Sequence, residues 1–482
     1  MTDTNDTHLA EQIENLTVGK EAGLSGFFPQ ADGIDALASR LLLAGRAEKS
    51  IDVQYYLIKN DLVGRTFVHS LLAAADRGVR IRLLVDDMFT AGYDTGLRAL
   101  QSHPNFEIRI FNPFNRGAVG RTLGAVPSFG RINRRMHNKT FTVDNRITII
   151  GGRNIADEYF GAREDSRFGD LDVIGIGPIV GDVANMFDLY WNHETALPVE
   201  AFTKELDNPG EQLNKLRTEL EASVEAARKS RYADAVVDRV FEQIEGNKGS
   251  FTWAPYELVY DSPDKGVRSK AEAAGTILTP LQESITAATG EVLIISPYFV
   301  PRKGGIEALS EVQARGVDVT VITNSLAANN QFIVHSGYAP SRKPLLQNGI
   351  KLYELRPDAS ISGSEYVNSE GGRATLHTKA FIVDQRHVFI GSFNFDPRSA
   401  NINTEMGVII DDQNMARYFS QRVDDSLAEE AYTVFLDDKD RVRWRGLDAA
   451  GQEVIFTKEP QTSWWQRFKV GFVRLLPIRG QL

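Results

Sequence analysis

Residues 136–154 read Met-His-Asn-Lys-Thr-Phe-Thr-Val-Asp-Asn-Arg-Ile-Thr-Ile-Ile-Gly-Gly-Arg-Asn, and residues 376–394 read Leu-His-Thr-Lys-Ala-Phe-Ile-Val-Asp-Gln-Arg-His-Val-Phe-Ile-Gly-Ser-Phe-Asn. In both stretches a histidine, a lysine, an aspartate, a glycine and an asparagine recur at identical spacing. These residues are His137, Lys139, Asp144, Gly151 and Asn154 in the first copy, and His377, Lys379, Asp384, Gly391 and Asn394 in the second. The apolar, β-branched residues between them predict two strands joined by a turn in each copy.

The histidine and the lysine of each copy are separated by one residue. Because alternate residues of a strand face the same side, His137 and Lys139 are expected to point into one cavity, as are His377 and Lys379. An unpaired ammonium is costly to bury, so the pattern favours an anion held in that cavity. One such pair would be weak evidence, but two copies with the same spacing favour a functional site over core packing.

The elements that precede each copy come in the same order. Before the first, the pattern predicts a helix over 34–45, a strand over 50–58, a helix over 65–77 and strands over 79–85 and 106–111. Before the second, it predicts a strand over 291–300, a helix ending at 315–316 and strands over 317–323 and 350–355. The two histidines lie 240 residues apart. We therefore interpret the chain as a duplicated α/β domain whose halves share one cleft.

The doubled pattern resembles the HKD signature of the phospholipase D superfamily, and the resemblance covers nearly the whole chain. Four segments, 134–139, 151–154, 323–329 and 391–399, are similar to bacterial cardiolipin synthases, most of all to the cardiolipin synthase C branch. The resemblance implies two pseudo-twofold-related phospholipase D-like domains, each a mixed β-sheet flanked by helices. We assign the N-terminal domain to 1–205, a helical connector to 206–250, the C-terminal domain to 251–460 and a basic amphipathic tail to 461–482.

Two imidazoles can supply the nucleophile and the proton donor for phosphodiester exchange near neutral pH. By resemblance to two-domain relatives, His137 is the nucleophile that forms a phosphohistidine and His377 the acid and base. Lys139 and Lys379 are expected to hold the nonbridging oxygens, with hydrogen bonds from Asn154 and Asn394. No metal and no other cofactor is expected.

Further residues are expected to support the histidines or the substrate. Asp170 and Glu405 fit the family's carboxylate that orients a histidine, with Asp172 as the alternative to Asp170. Gly152 and Ser392 belong to the supporting set through the segments that carry the resemblance, and glycine allows close backbone approach. The catalytic motif also contains Asp144 and Asp384, but their place at the turn predicts a structural role.

Tyr56 and Tyr298 end equivalent predicted strands and are expected either to wall the cleft or to pack in the core. His335 is expected either to line the substrate pocket or to be a packing residue.

Composition narrows the setting. The chain has 482 residues, a net charge of −10 and no cysteine, which argues against a general nucleic-acid-coating protein and against disulfides or a thiol nucleophile. The start of the sequence lacks the basic and apolar regions of a signal peptide, and no apolar run is long enough for a membrane span. We expect peripheral contact with the cytoplasmic face of the bacterial inner membrane.

Two basic stretches favour contact with lipid. No acidic residue occurs from 108 to 143, where arginines alternate with phenylalanines, nor in the tail 461–482, which carries Trp464 and Trp465. An interfacial amphipathic helix is the preferred interpretation of the tail. The alternative is that the tail docks onto the protein's own core.

The resulting hypothesis is a peripheral phosphatidyltransferase that makes cardiolipin with phosphatidylglycerol as acceptor. The resemblance implies phosphatidylethanolamine as donor and the possible need for a companion protein, and a second phosphatidylglycerol stays open as donor. The loops 115–130 and 358–372 are candidate lids that exclude water. The alternatives are a phospholipase D that releases phosphatidic acid, a nuclease of the same superfamily and a non-catalytic phospholipid-binding protein.

Overall fold

A computed structural model describes residues 4–90, 92–114, 133–163, 165–228, 232–238, 251–266, 276–359, 373–448 and 451–473. These residues form two mixed β-sheets with helices packed on them. The α/β class and the duplication predicted from the sequence are confirmed. Among the described helices, none is long and apolar enough to cross a membrane.

The first sheet contains nine strands in the order β10-β1-β8-β6-β5-β2-β3-β4-β9. Their bounds are β1 Ser25–Gln30, β2 Ser50–Tyr55, β3 Arg80–Asp86, β4 Phe106–Phe111, β5 Thr140–Val143, β6 Ile147–Gly151, β8 Asp172–Ile176, β9 Ala196–Pro198 and β10 Thr252–Ala254. The strands β2, β3 and β4 are parallel, and the other neighbours are antiparallel.

The second sheet contains ten strands in the order β11-β18-β17-β16-β12-β13-β14-β19-β20-β21. Their bounds are β11 Tyr256–Tyr260, β12 Glu291–Ile295, β13 Asp318–Asn324, β14 Lys351–Leu355, β16 Ala380–Val383, β17 His387–Gly391, β18 Met406–Asp411, β19 Ala431–Leu436, β20 Val442–Leu447 and β21 Glu453–Phe456. The order β11-β18-β17-β16-β12-β13-β14-β19 repeats β1-β8-β6-β5-β2-β3-β4-β9 of the first sheet, so the duplication extends to the topology.

Helices cover the outer faces of both sheets and also contribute to the core between them. The α-helices are His8–Thr17, Gly33–Arg46, Leu62–Asp76, Asp94–Gln101, Pro178–Trp191, Pro209–Ala227, Leu278–Thr286, Arg302–Ala314, Phe332–Tyr338, Arg342–Gln347, Pro397–Asn401, Gln413–Glu430 and Trp464–Val473. One apolar core lies under each half, and a third combines buried residues of both halves, such as Ile150 and Ile390. This shared core holds the two motifs against each other.

Each motif forms the hairpin that the sequence predicts, β5–β6 in the first half and β16–β17 in the second. The prediction placed His137, Lys139 and their counterparts within the strands, but the strands begin only at Thr140 and Ala380, so these residues lie just before them. A two-stranded parallel sheet of β7, Ser166–Gly169, and β15, Arg373–Leu376, also joins the halves. The segments that carry the histidines are thus held by contacts with the opposite half and not by strand pairing within their own half.

The structure describes part of the connector predicted over 206–250. Its described helix ends at Ala227, and a further helical segment covers 232–238, while 239–250 lies outside the described residues. The strand β10 pairs with β1 in the first sheet, so residues 252–254 belong to the first half although the predicted boundary lies at 251. The chain crosses to the second sheet between β10 and β11.

Candidate active site

The two histidines come together because each motif pairs its backbone with the other half. The His137 amide donates to the Thr404 carbonyl at 2.9 Å, and the Thr404 amide donates to the Arg135 carbonyl at 2.9 Å. In the same way, the His377 amide donates to the Gly169 carbonyl at 2.7 Å. These hydrogen bonds place His137 beside the residue that follows Thr404, and His377 beside the residue that follows Gly169.

The residues after Thr404 and Gly169 are Glu405 and Asp170. Each of these carboxylates contacts the motif histidine of the opposite half. Nδ1 of His137 lies 2.8 Å from Oε2 of Glu405, and Nδ1 of His377 lies 2.5 Å from Oδ2 of Asp170. A carboxylate on Nδ1 fixes the ring and its tautomer, leaving Nε2 as the reactive nitrogen. Each histidine is therefore oriented by the half that does not contain it.

The carboxylates are themselves held in place. The hydroxyls of Ser392 and Ser399 donate to the two oxygens of Glu405 at 2.5 and 2.6 Å. The Leu171 amide donates to Asp170 at 2.9 Å, and a Cβ added to Gly152 would stand 2.3 Å from the same carboxylate. Gly152 therefore gives the Asp170 carboxylate the room that it occupies.

Asp172, the alternative to Asp170, has a different role. Its carboxylate forms ion pairs with Arg40 at 2.8 Å and Arg153 at 3.3 Å, and all three side chains are buried. These contacts attach helix Gly33–Arg46 and the segment after β6 to the start of β8. Asp172 thus stabilises the scaffold behind the histidines.

Both motif lysines are buried without a carboxylate partner. Among the described residues, neither Lys139 nor Lys379 has an acidic group within ion-pair distance, and the ammonium of each donates to the carbonyl of its own motif histidine. Oδ1 of Asn154 and of Asn394 is also buried and has no hydrogen-bond partner there. The two buried ammonium groups beside the imidazoles suit a bound anion such as a phosphodiester, whereas an amide oxygen is an acceptor and can only accept a hydrogen bond there.

Burial controls the protonation of the site. It lowers the pKa of His137 to about 4 and that of His377 to about 3, and the nearby carboxylates offset this only in part. Burial would raise the pKa of Asp170, but the charges of Lys379 and His377 outweigh it and lower that pKa to about 2. These pKa values leave neutral imidazoles beside ionised carboxylates at neutral pH, as a nitrogen nucleophile requires.

The surroundings of the two histidines differ. The His377 ring contacts Tyr159 at 4.8 Å and Phe168 at 5.4 Å between ring centres, and the Tyr159 hydroxyl lies 3.4 Å from Nε2 of His377. The His137 ring contacts Tyr56 at 5.0 Å. Tyr298 lies 6.4 Å from His377. Sequence reasoning did not identify Tyr159, Phe168 or Ser399, because none of them belongs to the repeated pattern.

The motif aspartates lie at the far ends of the hairpins. Asp144 accepts hydrogen bonds from the amides of Glu48, Lys49 and Ser50, and Asp384 accepts from those of Thr289, Gly290 and Glu291. Neither aspartate contacts a motif histidine. Both side chains tie the turn to the start of the neighbouring antiparallel strand, β2 or β12, which is a structural role.

Some predicted features lie elsewhere. His335 is buried between Arg342 and Glu459, with Nε2 at 3.1 and 3.4 Å from them, in the outer part of the second half. The candidate lid 115–130 lies outside the described residues, as do 360–372 of the second lid and 474–482 of the tail.

The paired halves and the two oriented histidines define a phospholipase D-like protein. The model of the PLD-like domain of cardiolipin synthases matches residues 42–190 and 281–426. The chain belongs to this family, within the phospholipase D superfamily.

Relatives support the assignment over nearly the full length. The chain is 42% identical over 472 residues to cardiolipin synthase C of Escherichia coli K12, which covers 95% of this chain and 97% of that protein. It is 25% identical over 430 residues to a cardiolipin synthase of Staphylococcus aureus, covering 88% of this chain and 68% of the relative. The crystal structure of phosphatidylserine synthase from Haemophilus influenzae matches with a TM-score of 0.58 at 12% identity, covering 88% and 92% of the two chains, and shows the fold alone.

Proposed function

We propose that this protein is a cardiolipin synthase that transfers a phosphatidyl group through a phosphohistidine to phosphatidylglycerol. The observation that carries the proposal is the pair of imidazoles, each held at Nδ1 by a carboxylate of the opposite half. The similarity to cardiolipin synthases over both halves supports lipid substrates. Phosphatidylethanolamine is the proposed donor, as the sequence resemblance implies.

In the first step, Nε2 of His137 attacks the donor phosphorus and the bond to the leaving alcohol breaks. The bound phosphate anion raises the pKa of His377, which in its protonated form gives its proton to the departing oxygen. Lys139 and Lys379 hold the phosphate charge. In the second step, His377 takes the proton of the terminal hydroxyl of phosphatidylglycerol. That oxygen attacks phosphorus, the P–N bond breaks and cardiolipin leaves.

The assignment of His137 as nucleophile has a structural basis. Within the described part of the chain, Nε2 of His137 makes no hydrogen bond. By contrast, Nε2 of His377 lies 3.3 Å from the Lys379 ammonium and 3.4 Å from the Tyr159 hydroxyl. An unoccupied Nε2 can approach phosphorus directly, whereas one near hydroxyl and ammonium groups suits proton exchange.

The test uses the purified protein and phosphatidylglycerol liposomes with and without phosphatidylethanolamine, with products followed by mass. We expect cardiolipin only with both lipids and none from His137→Ala. Cardiolipin from phosphatidylglycerol alone would replace the proposed donor. Phosphatidic acid without cardiolipin, also after addition of the companion protein that the cardiolipin synthase C resemblance implies, would favour the phospholipase alternative.

The tail helix Trp464–Val473 gives the protein an aromatic surface for the bilayer. It packs on helix Phe332–Tyr338 with Val470 and Val473 buried, while four aromatic residues on its other side are about half exposed. These are Trp464, Trp465, Phe468 and Phe472. The helix thus docks on the core and also presents an apolar face, and we propose that this face enters the headgroup region.

Replacing both tryptophans by serine should weaken binding to anionic liposomes about tenfold or more without changing the fold, because neither side chain is buried. The matched control is Tyr418→Ser, which removes a similarly exposed ring from helix Gln413–Glu430. Equal liposome binding by all three proteins would contradict the membrane role. Protease accessibility in spheroplasts and inverted vesicles tests the proposed cytoplasmic face.

A further inference from the structure

A cavity of about 620 Å³ is lined by Tyr56, a neighbour of His137, and His137 itself is not part of the lining. Its first wall is Tyr56, whose ring contacts His137 at 5.0 Å and Phe89 at 5.3 Å between centres. From there it runs between helices Leu62–Asp76 and Asp94–Gln101 to the connector helix Pro209–Ala227. Its volume lies in the range of roughly 300–1,000 Å³ that is usual for ligand sites.

The lining of this cavity is mostly apolar. Side chains from a strand and three helices contribute to it, including Leu57, Val68, Leu83, Leu97, Leu216 and Leu220. The charged lining residues that reach solvent are Lys59, which forms an ion pair with Glu158, the cations Arg65 and Lys215, and the carboxylate of Glu219. An apolar interior with a mainly cationic edge suits a hydrocarbon chain attached to an anionic headgroup.

We propose that this cavity holds an acyl chain of the donor phospholipid while its phosphate lies at His137. The inference rests on the proposed function and adds a binding site for the lipid tail. Tyr56 connects the cavity with the catalytic cleft, because its side chain lines the cavity and its ring contacts His137. The connector helix then has a role beyond joining the halves, since Leu216 and Leu220 form the side of the cavity opposite β3.

Gly96 offers a clean way to fill the cavity. It lies inside helix Asp94–Gln101 and lines the cavity, and a Cβ added there meets no atom within 4 Å. The Cβ of Gly96→Leu therefore meets no clash, the rest of the side chain adds volume at the cavity wall, and the change improves helix propensity. Leu216→Trp fills the cavity from the connector side. The control is Gly181→Leu, an exposed helical glycine remote from the cavity that also has no atom within 4 Å.

The readout is the single-turnover rate of phosphohistidine formation with a dihexanoyl donor and with a dioleoyl donor in mixed micelles. We expect Gly96→Leu and Leu216→Trp to slow the reaction of the dioleoyl donor about tenfold or more, because each chain carbon left in water loses burial energy. The dihexanoyl donor should react within about twofold of the wild-type rate. Gly181→Leu should change neither rate, and thermal unfolding checks that all variants fold.

Three results would overturn the inference. Equal slowing of both donors in the two folded variants would indicate damage to the catalytic groups, and unchanged rates with both donors would mean that no chain enters the cavity. An effect confined to the second half-reaction, the transfer to phosphatidylglycerol, would assign the cavity to the acceptor instead. If the wild-type protein forms no phosphohistidine with either donor, the proposed function itself fails, whereas each of the three results above leaves it standing.

Discussion

The two halves share the order of eight strands, the motif spacing and the exchange of carboxylates, but they enclose their histidines differently. His377 is surrounded by Tyr159, Phe168 and its own lysine, and its Nε2 lies near a hydroxyl and an ammonium. Among the residues that the structure describes, His137 has one aromatic neighbour, Tyr56, which also lines a cavity.

This difference teaches that a duplicated motif need not give duplicated roles. The carboxylates supply equal orientation to both rings, so the division of labour must come from what surrounds Nε2. Crowding by proton-exchanging groups favours an acid and base at His377, and an accessible nitrogen beside a lipid-sized cavity favours a nucleophile at His137. Five predictions test how far the two halves differ.

The largest expected effect separates the two histidines. With a phosphodiester that carries a p-nitrophenyl leaving group, His377→Ala should still phosphorylate His137, because this leaving group needs no acid, and the intermediate should accumulate. His137→Ala should lose turnover by about 10⁴-fold or more, because the covalent step is removed. Mass spectrometry of trapped, digested enzyme locates the phosphate. Phosphate on His377 in the wild-type protein would reverse the roles.

The carboxylates should each be worth about 10³-fold in turnover, because the histidine loses its tautomer and orientation. Glu405→Gln should slow phosphorylation of His137 with any leaving group. Asp170→Asn should slow only donors with a poor leaving group, and a p-nitrophenyl donor should recover most of the rate. Identical dependence on the leaving group in both variants would remove the asymmetry.

The pH dependence of kcat/KM tests the roles of His137 and Glu405 in a second way. A nucleophilic imidazole must be unprotonated, so kcat/KM falls as the pH drops below its pKa. Burial lowers the pKa of His137 to about 4, so the acid limb should lie below the usual histidine range, and the negative charge of Glu405 raises that pKa. Glu405→Gln should therefore move the limb to still lower pH, whereas a purely structural role would leave it in place.

Substitutions of the two turn aspartates should lower the stability of the protein by different amounts and leave the reaction rate unchanged. Asp144 is fully buried, so Asp144→Ala leaves three amides without a partner and should cost about 3 kcal/mol of unfolding free energy. The amides around Asp384 are nearer to solvent, which can replace the lost bonds, so Asp384→Ala should cost about 1 kcal/mol. Urea titration measures both, and a loss of specific activity in the folded fraction would argue against the structural role.

The sequence predicted the parts of this molecule that depend on repetition and on local periodicity. The α/β class and the duplication followed from spacing, and strand Phe106–Phe111 was predicted at its observed bounds. The partner of each carboxylate could not be predicted, because it depends on how Thr404 and Gly169 pair across the halves. The contact of Tyr159 with His377 could not be predicted either, because it forms only when the two halves of the chain pack together.

The smallest effect concerns the two tyrosines that distinguish the halves. Tyr159→Phe removes a hydroxyl that lies 3.4 Å from Nε2 of His377 and accepts a hydrogen bond from Asn154 at 2.9 Å. The loss of a neutral hydrogen bond of about 1 kcal/mol corresponds to roughly a fivefold lower kcat. Tyr56→Phe keeps the ring against His137 and should cost about twofold or less. Because proton delivery is assigned to His377, the Tyr159 loss should shrink with a p-nitrophenyl donor, while a loss of equal size with every donor would show that the hydroxyl only positions the ring.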